Sequence, residues 1–298
     1  MNGADLRWDD LKLFLAVYEH ASLSGAARAL KLGQPTLSRR IAELEGAVGE
    51  PLFERKSHGA MLTAAGMRLL PAAQGMAEWA SEGERNIRKQ SFLPEGKVRV
   101  AAPPGIAYEL VAPLSLKIRK QYPQVQIEVL SGVEVLNLKR GEADISLRTT
   151  PPADAELVCL DEITSSMRAY ANKQYVKALP RKPKLGEIGW ISWAAPYLDL
   201  QVSNELSAII SDFRPVFTSD DYNVQVAACK AGVGAMILPE LLYRYNALGE
   251  WSSLQEIKVD LGPAAVGALY LVCHKRIQNL PKIRMVTECI VHELDKMR

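Results

Sequence analysis

Apolar residues near the start of the chain recur with the period of an α-helix. Four of them follow the spacing i, i+3, i+4 and i+7: Leu11, Phe14, Leu15 and Tyr18. A stripe of this kind predicts an amphipathic first helix with this face buried. A second, short helix is predicted up to Leu30, with Ser22 or Ser24 as its cap. Gln34-Pro35 then opens a third helix, which we expect to run to about Val48 and to stop at Gly49.

The second and third predicted helices carry small and aliphatic residues on facing sides: Ala26, Ala27, Leu30, Leu37, Ile41 and Leu44. Small residues allow two helices to cross closely, so this pattern predicts a helix-turn-helix. Polar groups occupy the outer face near the start of the third helix: Gln34, Pro35, Thr36, Ser38, Arg39 and Arg40. Amide, hydroxyl and guanidinium groups there suit hydrogen bonds to base edges and phosphates. Ser22 and Ser24 are additional candidate DNA contacts.

A long helix is predicted to begin after Thr63, a natural N-cap, and to continue to about residue 90 in spite of Pro71. Its small and apolar residues alternate spacings of four and three: Leu69, Ala73, Met76, Ala80, Gly83 and Ile87. This a/d seam favours a helix that pairs two subunits. The alternative is a helix packed on its own domain. Pro94 and Gly96 then predict a hinge.

Beyond the hinge, strand and helix patterns alternate. The strand candidates are Val98 to Ala102, Val125 to Leu130, Ala143 to Leu147, Met167 to Ala171, Trp190 to Trp193, Ala235 to Leu238 and Ala268 to Cys273. Helical stretches such as Ala107 to Tyr122 and Tyr222 to Ala231 lie between them. This alternation predicts α/β layers around a largely parallel sheet. The length of this region favours two subdomains with a cleft between them.

Composition narrows the class of protein. A chain of 298 residues, 48% of them hydrophobic, predicts two or three domains and excludes disordered, collagen-like and disulfide-built chains. The four cysteines are widely spaced, so we predict no metal, dithiol or cofactor site and expect them to be buried in a reducing cytoplasm. No apolar run approaches the ~20 residues that span a bilayer. The first residues do not have the pattern of a secretory signal, so we expect a cytoplasmic protein without membrane contact.

The charge is nearly balanced overall but not locally. With 36 basic and 34 acidic residues, the net charge of +2 argues at first against a nucleic-acid-binding chain. From His20 to Ala42, however, there are four basic residues and no acidic one. A basic turn that includes Arg55, Lys56 and His58 follows the third helix, which is typical of a wing that touches the phosphate backbone or the minor groove. A local field of this kind predicts reliance on dimerisation and base readout.

With these motifs in place, the segment LKLFLAVYEHASLSGAARALKLGQPTLSRRIAELEGAVGEPLFERKSHGAMLTAAG resembles the LysR-type transcriptional regulators. The parts that match in order are Ala26-Ala27 with Leu30, Gln34-Pro35, Ser38, Ile41, Leu44-Glu45, Gly49, Leu52-Phe53, Arg55, and Leu62-Thr63 with Gly66. The resemblance implies contacts to bases or phosphates from the third helix and the wing: Gln34, Pro35, Ser38, Arg39, Arg55, Lys56 and His58. Gly33 departs from the polar residue, often Ser, that precedes the Gln in the family.

The rest of the chain resembles the family's effector-binding region more loosely, through KVRVAAP, YPQVQIEVLSG, LKRGEADISLRT and VAACKAGVGAMILPE. The resemblance implies a winged helix-turn-helix domain at 6–63, a dimerising linker helix at 64–90 and a periplasmic-binding-protein-like effector domain at 91–298. Its two α/β subdomains would be 92–161 with 268–298, and 162–267. Cleft candidates follow strand ends, where free N–H groups can hold an anion: Pro103, Pro104, Gly105, Ser131, Val133, Trp193, Ser219 and Asp220.

Several of these candidates have two readings. Many carboxylate-binding members place Ser or Thr where this chain has Pro103-Pro104 and Val133, which favours a more apolar or neutral ligand. The two prolines could equally form a rigid turn, and Trp193 is either a core aromatic or a cleft wall. Arg148, at the end of an apolar strand, is either a counter-charge for a ligand or part of an ion pair. Redox sensing is disfavoured because no basic cluster flanks the cysteines.

The sequence therefore predicts a LysR-type regulator and not an enzyme. We expect it to bind a pseudo-palindromic operator as a homodimer or homotetramer, to respond to a small-molecule effector and to contact RNA polymerase. One alternative is a solute-binding or enzymatic α/β protein, which the lack of a G-x-G-x-x-G, P-loop or G-x-S-x-G motif disfavours. The other is a DNA-packaging protein, whose binding would not depend on sequence.

Overall fold

The computed structural model describes residues 7–56, 59–88, 94–197, 206–245 and 248–298. The chain divides into two compact units, Met1–Phe92 and Leu93–Arg298. None of the described helices is both long and apolar enough to cross a membrane.

The first unit is a small helical domain with one hairpin. Its elements are α1 (Trp8–His20), α2 (Leu23–Ala29), α3 (Gln34–Val48), β1 (Phe53–Lys56), β2 (Gly59–Leu62) and α4 (Ala64–Arg88). The side chain of Ser22 accepts from Gly25 N at 3.0 Å and caps α2. Gly49 ends α3 in the left-handed conformation, with φ 80°. The predicted caps and ends of these helices are therefore confirmed.

The core of this unit contains the predicted facing residues except Tyr18. Phe14, Ala26 and Leu37 are fully buried, and Leu11, Leu15, Ile41 and Leu44 are nearly so. The expectation that Tyr18 shares this face is wrong, because its side chain is 41% exposed. Val17 is fully buried instead. The buried face of α1 therefore includes residue 17 and not residue 18.

The long helix α4 packs first on its own unit. Thr63 Oγ1 accepts from Gly66 N at 3.1 Å, which confirms it as the cap of α4. Ala73 is fully buried in the helix-turn-helix core, and Leu69 packs against the same core. Two of the seam residues, Leu69 and Ala73, therefore pack within their own unit. This agrees with the alternative of a helix that packs on its own domain. Met76 and Trp79, further along, remain exposed.

The second unit alternates strands and helices. Its elements are β3 (Gly96–Ala102), α5 (Pro104–Ile106), a π-helical turn (Ala107–Val111), α6 (Ala112–Gln121), β4 (Val125–Ser131), β5 (Ile145–Arg148), β6 (Leu157–Asn172), α7 (Lys173–Ala178), β7 (Ile191–Trp193), β8 (Phe217–Ser219), α8 (Tyr222–Ala231), β9 (Met236–Pro239), α9 (Glu240–Tyr245), β10 (Leu254–Ile257), β11 (Val266–His274) and α10 (Pro281–Asp295).

The main sheet is mixed, so the expectation of a largely parallel sheet is wrong. Its strand order is β10-β6-β11-β5-β3-β4, and β9 also pairs with β6. Only β3 pairs in parallel, with β4 and β5, while β6 and β11 pair antiparallel with all their neighbours. The first part of β6 pairs with β11 and its end pairs with β9 and β10. The long strand β6 therefore runs from one lobe to the other, and β11 runs back beside it. The two strands are antiparallel because the chain returns along β11.

The two lobes have separate cores. One core surrounds β3 and β5 and includes Val98, Ile145 and Ile290, while the other includes Trp190 and Ile257. Leu241 and Leu242 of α9 pack in the first core, although the resemblance placed their segment in the second subdomain. The position of α9 in the sequence therefore does not predict the lobe on which it packs.

A buried carboxylate fastens α9 and α6 to α10. Glu293 Oε1 accepts from Lys117 Nζ at 2.8 Å and from Lys296 Nζ at 2.7 Å, and its Oε2 accepts from Tyr245 Oη at 2.7 Å. Burial raises the pKa of Glu293, but these three donors outweigh it and lower the pKa to about 2. The group is therefore ionised throughout the ordinary pH range.

The cysteines differ in exposure more than predicted. Cys229 and Cys273 are buried, as expected, but Cys159 is exposed and Cys289 half-buried. Burial raises the pKa of all four thiols, to about 12 for Cys229 and about 11 for Cys273. Raised thiol pKa values oppose formation of the reactive thiolate.

Candidate functional site

The first turn of α3 forms the exposed face of the helix-turn-helix. Gln34, Pro35 and Thr36 are exposed, Ser38 is half-buried, and 73% of the Arg39 side chain is accessible. On the opposite side Leu37, Ile41 and Leu44 are buried at helical spacing. The buried residues hold α3 against α1 and α2, so the polar groups point outward in fixed positions.

A tight turn joins α2 to α3. Lys31 has φ 54°, and Leu32 N donates to Ala27 O at 2.9 Å. Gly33 is the N-cap of α3, with φ −69° and ψ 137°, and it provides no side-chain cap. The first N–H groups of α3 therefore remain open toward the same side as Gln34.

Arg40 is not free on the outer face as expected, because its side chain is 26% exposed and its guanidinium contacts Asp10. A DNA contact from Arg40 stays a prediction. Arg40 Nε donates to Asp10 Oδ1 at 2.7 Å, and its Nη2 contacts the same oxygen. The Asp10 side chain is only 12% exposed. Arg40 therefore ties α3 to α1. The neighbouring Arg39 has only the exposed carboxylate of Glu43, at 3.5 Å.

The β1–β2 hairpin is the predicted wing, and two contacts fix its base. Glu45 Oε1 accepts from Leu52 N at 2.8 Å and from Phe53 N at 3.1 Å. Ala60 N donates to Ala21 O at 2.8 Å, and a Cβ on Gly59 would lie 2.2 Å from that oxygen. Only glycine fits this close approach, which also has φ 125°. The wing therefore lies beside the start of α2.

The remaining DNA candidates have different surroundings. Arg55 and Lys56 lie in β1, and His58 falls outside the described residues. Ser22 uses its hydroxyl as the cap of α2, whereas Ser24 is exposed in the first turn of that helix.

The short helix α5, which follows β3, meets the start of α8 in the second unit. A Cβ on Gly105 would lie 2.9 Å from Cζ of Tyr222 and 3.0 Å from its Oη. Glycine therefore leaves the space that the tyrosine ring occupies. This contact brings one sequence-predicted cleft residue against a residue that the sequence did not single out.

Tyr222 also lines a cavity of about 140 Å³ beside the ends of β7 and β9. Other lining residues are Ser192, Trp193, Gln225 and Met236. Trp193 is therefore a cavity wall, and its ring meets Tyr197 edge-on at 5.9 Å. The Tyr222 Oη is buried and has no hydrogen-bond partner among the described residues. Burial and the nearby charge of Glu109 raise the pKa of Tyr222, so the hydroxyl stays protonated as a donor.

Arg148 ends β5 as a buried cation. The residue is 8% exposed, and within the described part of the chain its Nε and Nη2 have no hydrogen-bond partner. Its cross-strand neighbour is Tyr270. Burial lowers the pKa of Arg148, because a low dielectric disfavours the charged form. Arg148 therefore forms no ion pair within the described residues. A buried guanidinium without a carboxylate partner is unfavourable, and an anion would stabilise it.

The other cleft candidates have different surroundings. Pro103 and Pro104 form the N-cap and first residue of α5, which is the rigid turn of the alternative reading. Ser219 Oγ accepts from Asp221 N at 3.1 Å, and its carbonyl accepts from Gln225 Nε2 at 2.7 Å. Asp220 is exposed, and Asp221 is the residue that caps α8. Ser131 is exposed and Val133 half-buried, and neither lines the cavity described above.

Comparison with known protein families agrees with both units. Residues 8–67 match the bacterial regulatory helix-turn-helix protein, lysR family, and residues 93–295 match the LysR substrate binding domain. This chain belongs to the LysR family of transcriptional regulators.

Related regulators share this assignment. An HTH-type transcriptional regulator of Xanthomonas campestris is 31% identical over 169 residues, which cover 57% of this chain and 49% of that protein. The match thus spans about half the length of that relative. The regulator CrgA of Neisseria meningitidis serogroup B is 27% identical over 239 residues, covering 78% of this chain and 80% of its own.

Solved structures share the fold of this LysR-family chain. LysG of Corynebacterium glutamicum, solved full-length with bound effector Arg, has a TM-score of 0.63 and 18% identity, covering 98% of this chain and 99% of its own. Full-length CbnR complexed with target DNA has a TM-score of 0.55 and 18% identity, covering 98% of this chain and 100% of its own. At these identities the likeness concerns the fold.

Sequence reasoning missed Tyr222, Gln225 and Ser192 in this LysR-family effector unit. Ser192 precedes Trp193 on β7, so its place at a strand end was a usable signal. Tyr222 and Gln225 lie at the start of α8, where the sequence pointed to Ser219 and Asp220 instead. The helix begins at Tyr222 as predicted, with Asp221 as its cap, and the lining residues lie in its first turn and not before it.

The unusual Gly33 of this LysR-family chain can be tested directly. Gly33→Ser should stabilise the first unit by a few tenths of a kcal/mol, because a serine N-cap accepts from the open N–H groups of α3. The nearest atom to an added Cβ is Thr36 Oγ1 at 3.6 Å, so the side chain fits. We also expect a few-fold tighter binding to operator DNA through one further phosphate contact. Urea unfolding and fluorescence titration measure the two effects.

Gly33→Ala is the matched control, since it adds the Cβ without the hydroxyl. It should be less stable than the glycine parent, because alanine is a poor N-cap. Equal behaviour of the serine and alanine variants would contradict the capping argument.

Proposed function

We propose that this LysR-family regulator acts in the cytoplasm as a homo-oligomer, binds a pseudo-palindromic operator and alters transcription by RNA polymerase when a small anionic effector binds. The observation that carries the DNA part is the exposed polar turn of α3 above the buried Leu37, Ile41 and Leu44. An exposed N-terminal turn on a rigidly packed second helix suits insertion into a major groove.

Each DNA candidate has a place in this proposal. Gln34, Thr36 and Arg39 would reach base edges, while Pro35 and Ser38 would lie against the backbone. The wing residues Arg55, Lys56 and His58, together with the exposed Ser24 and the capping Ser22, would contact phosphates or the minor groove on either side.

The exposed end of α4 supports self-association. Met76 is 43% and Trp79 44% exposed, and the two lie three residues apart on the same side of the helix. Neighbouring exposed apolar side chains on a long helix are favourable to bury against a second copy. A two-fold pair would present two α3 helices to two half-sites, and this gives the operator its two-fold symmetry.

Selection from a random duplex library tests the DNA proposal. The purified protein should enrich a pseudo-palindrome and bind it far more tightly than a scrambled duplex at the same salt concentration. Equal affinity for both duplexes would contradict the proposal and favour the DNA-packaging alternative.

The effector proposal rests on Arg148 and Tyr222. A buried guanidinium without a partner and a buried hydroxyl donor both gain from an anionic oxygen. The cavity between Trp193, Tyr222 and Met236 offers apolar walls next to that donor. Arg148 is not among the residues that line this cavity, so the charge preference rests on Arg148, whose unpaired guanidinium favours a small carboxylate or phosphate over the neutral ligand that Val133 and the prolines indicated. Ligand binding would bias the two lobes toward one arrangement.

Arg148→Gln tests this proposal because its two readings predict opposite signs. If Arg148 binds the ligand, the unliganded variant should be about 1 kcal/mol more stable than the unliganded parent, since a buried unpaired charge is removed. It should also lose the thermal shift that the parent shows with an active compound from a panel of small carboxylates and phosphates, with affinity reduced at least about tenfold.

Arg276→Gln is the matched control, because this arginine is exposed and its 3.8 Å contact with Glu156 lies in solvent. It should leave both stability and the thermal shift unchanged. A destabilised Arg148→Gln variant that keeps the ligand response would instead show that Arg148 is a structural residue.

A further inference from the structure

A second basic segment lies in the effector unit, at α7 and the loop that follows it. No Asp or Glu occurs between Glu162 and Glu187. Six cations lie within this stretch. Arg168 contacts Glu240 at 3.5 Å, and the other five form what we call the basic segment: Lys173, Lys177, Arg181, Lys182 and Lys184. All five are exposed, and none forms an ion pair with a carboxylate of the described residues.

The backbone of the basic segment is firmly anchored. Tyr175 Oη accepts from Gly189 N at 2.8 Å, and Trp190 Nε1 donates to Leu185 O at 2.9 Å. Val176, Leu179 and Leu185 pack against the core around Trp190. The apolar side chains thus point inward and the cations outward, so a partner would meet a largely preorganised charge pattern.

The basic segment stands out by its density of cations. Some cations elsewhere in the unit have carboxylate partners, such as Arg276, Arg284 and Lys139 at 3.8, 2.8 and 3.1 Å, and others are exposed without a partner among the described carboxylates, such as Lys120 and Lys275. Residues 91–298 contain 24 basic and 23 acidic side chains, and five of the 24 belong to the basic segment. The remainder of the unit is therefore net acidic, whereas residues 173–184 carry five cations and no carboxylate.

The composition of the basic segment favours one kind of partner. Within the segment itself, no large hydrophobic side chain is exposed, and the exposed apolar residue beside its anchor is Val216, which packs at Gly189 next to Tyr175. Protein interfaces are enriched in aromatic residues and depleted in lysine, so a lysine-rich segment does not have the character of one. Dense Lys and Arg side chains with few exposed apolar neighbours are instead the usual contacts of phosphate oxygens.

We propose that the basic segment binds the phosphate backbone of double-stranded DNA outside the half-sites read by α3. The inference rests on the proposed DNA-binding function, which would bring flanking duplex to the effector unit at high effective concentration. Contacts of this kind would add affinity and a longer footprint without adding sequence preference.

The test compares two duplexes, a short operator and the same operator with long flanks of unrelated sequence. The full chain and its variant Lys177→Gln/Arg181→Gln/Lys182→Gln are titrated with each duplex at several salt concentrations. The variant should bind the short duplex like the parent. On the long duplex it should lose about tenfold in affinity. The magnitude of the slope of log K against log salt should fall by up to about 3, because each lost phosphate contact lowers it by about 0.9.

The matched control is Lys120→Gln/Arg140→Gln/Lys275→Gln, which removes the same charge from exposed positions elsewhere in the unit. It should behave like the parent on both duplexes, and all proteins should unfold at the same temperature. An unchanged long-duplex slope in the basic-segment variant, or an equal loss in the control, would overturn the proposal. So would a defect seen only in transcription with RNA polymerase, which would indicate an acidic protein partner. Failure of the parent to bind the short operator would instead contradict the proposed function.

Discussion

Arg39→Ala should weaken operator binding by about 100-fold, from about 1.4 kcal/mol at each of two half-sites. The guanidinium is 73% exposed, and its contact to Glu43 at 3.5 Å lies in solvent. A surface pair of this kind contributes little, so the side chain is free to exchange Glu43 for a guanine edge or a phosphate. Fluorescence anisotropy with the selected operator at fixed salt measures the loss.

Glu43→Gln is the matched control, since it removes the competing carboxylate and leaves Arg39 in place. Its affinity for the operator should equal or exceed that of the parent. Arg39→Ala itself should keep the free energy of unfolding within about 0.5 kcal/mol of the parent, as expected for an exposed position. Unchanged operator affinity in Arg39→Ala would contradict the assignment of α3 as the reading helix.

Arg40→Ala should act on stability instead, lowering the free energy of unfolding of the first unit by about 3 kcal/mol. The change leaves Asp10 without its partner, and that carboxylate is only 12% exposed. Urea unfolding followed by tryptophan fluorescence and circular dichroism measures the effect. Asp10→Ala should cost a similar amount, and in a double-mutant cycle the two effects should not add, because both remove the same contact.

Arg68→Ala provides the comparison for that result. Arg68 contacts Glu50 at 2.8 Å, but the two side chains are 62% and 58% exposed. Its loss should cost less than about 1 kcal/mol. If Arg40→Ala were as stable as the parent and yet failed to bind DNA, Arg40 would be a DNA contact after all.

Two adjacent arginines with opposite roles show where sequence reasoning stops. Successive residues on a helix point about 100° apart, so Arg39 and Arg40 lie on different sides of α3. Periodicity places Leu37, Ile41 and Leu44 inside, but Arg40 lies at the boundary of that face. Its direction depends on Asp10, which is 30 residues away in the chain.

The effector unit shows the same limit. The candidates chosen at strand ends include Gly105 and Trp193, which the fold places around Tyr222 and its cavity. Ser219 and Asp220 were chosen for the same reason, yet the Ser219 hydroxyl accepts from Asp221 N in the turn before α8, and Asp220 is exposed. Position at a strand end is therefore a useful signal, but it does not distinguish a lining residue from a turn residue.

By itself, the sequence determined the near-balanced charge with its local basic stretches, the limits of α2 and α3 and the family. These features depend on caps, helical period and motif spacing, which are encoded within one or two turns of chain. Only the tertiary structure decided the partner of Arg40, the antiparallel return of β6 and β11, the lobe on which α9 packs and the isolation of Arg148. Each of these depends on which distant segments meet, because burial and the pairing of charges are properties of the packed chain.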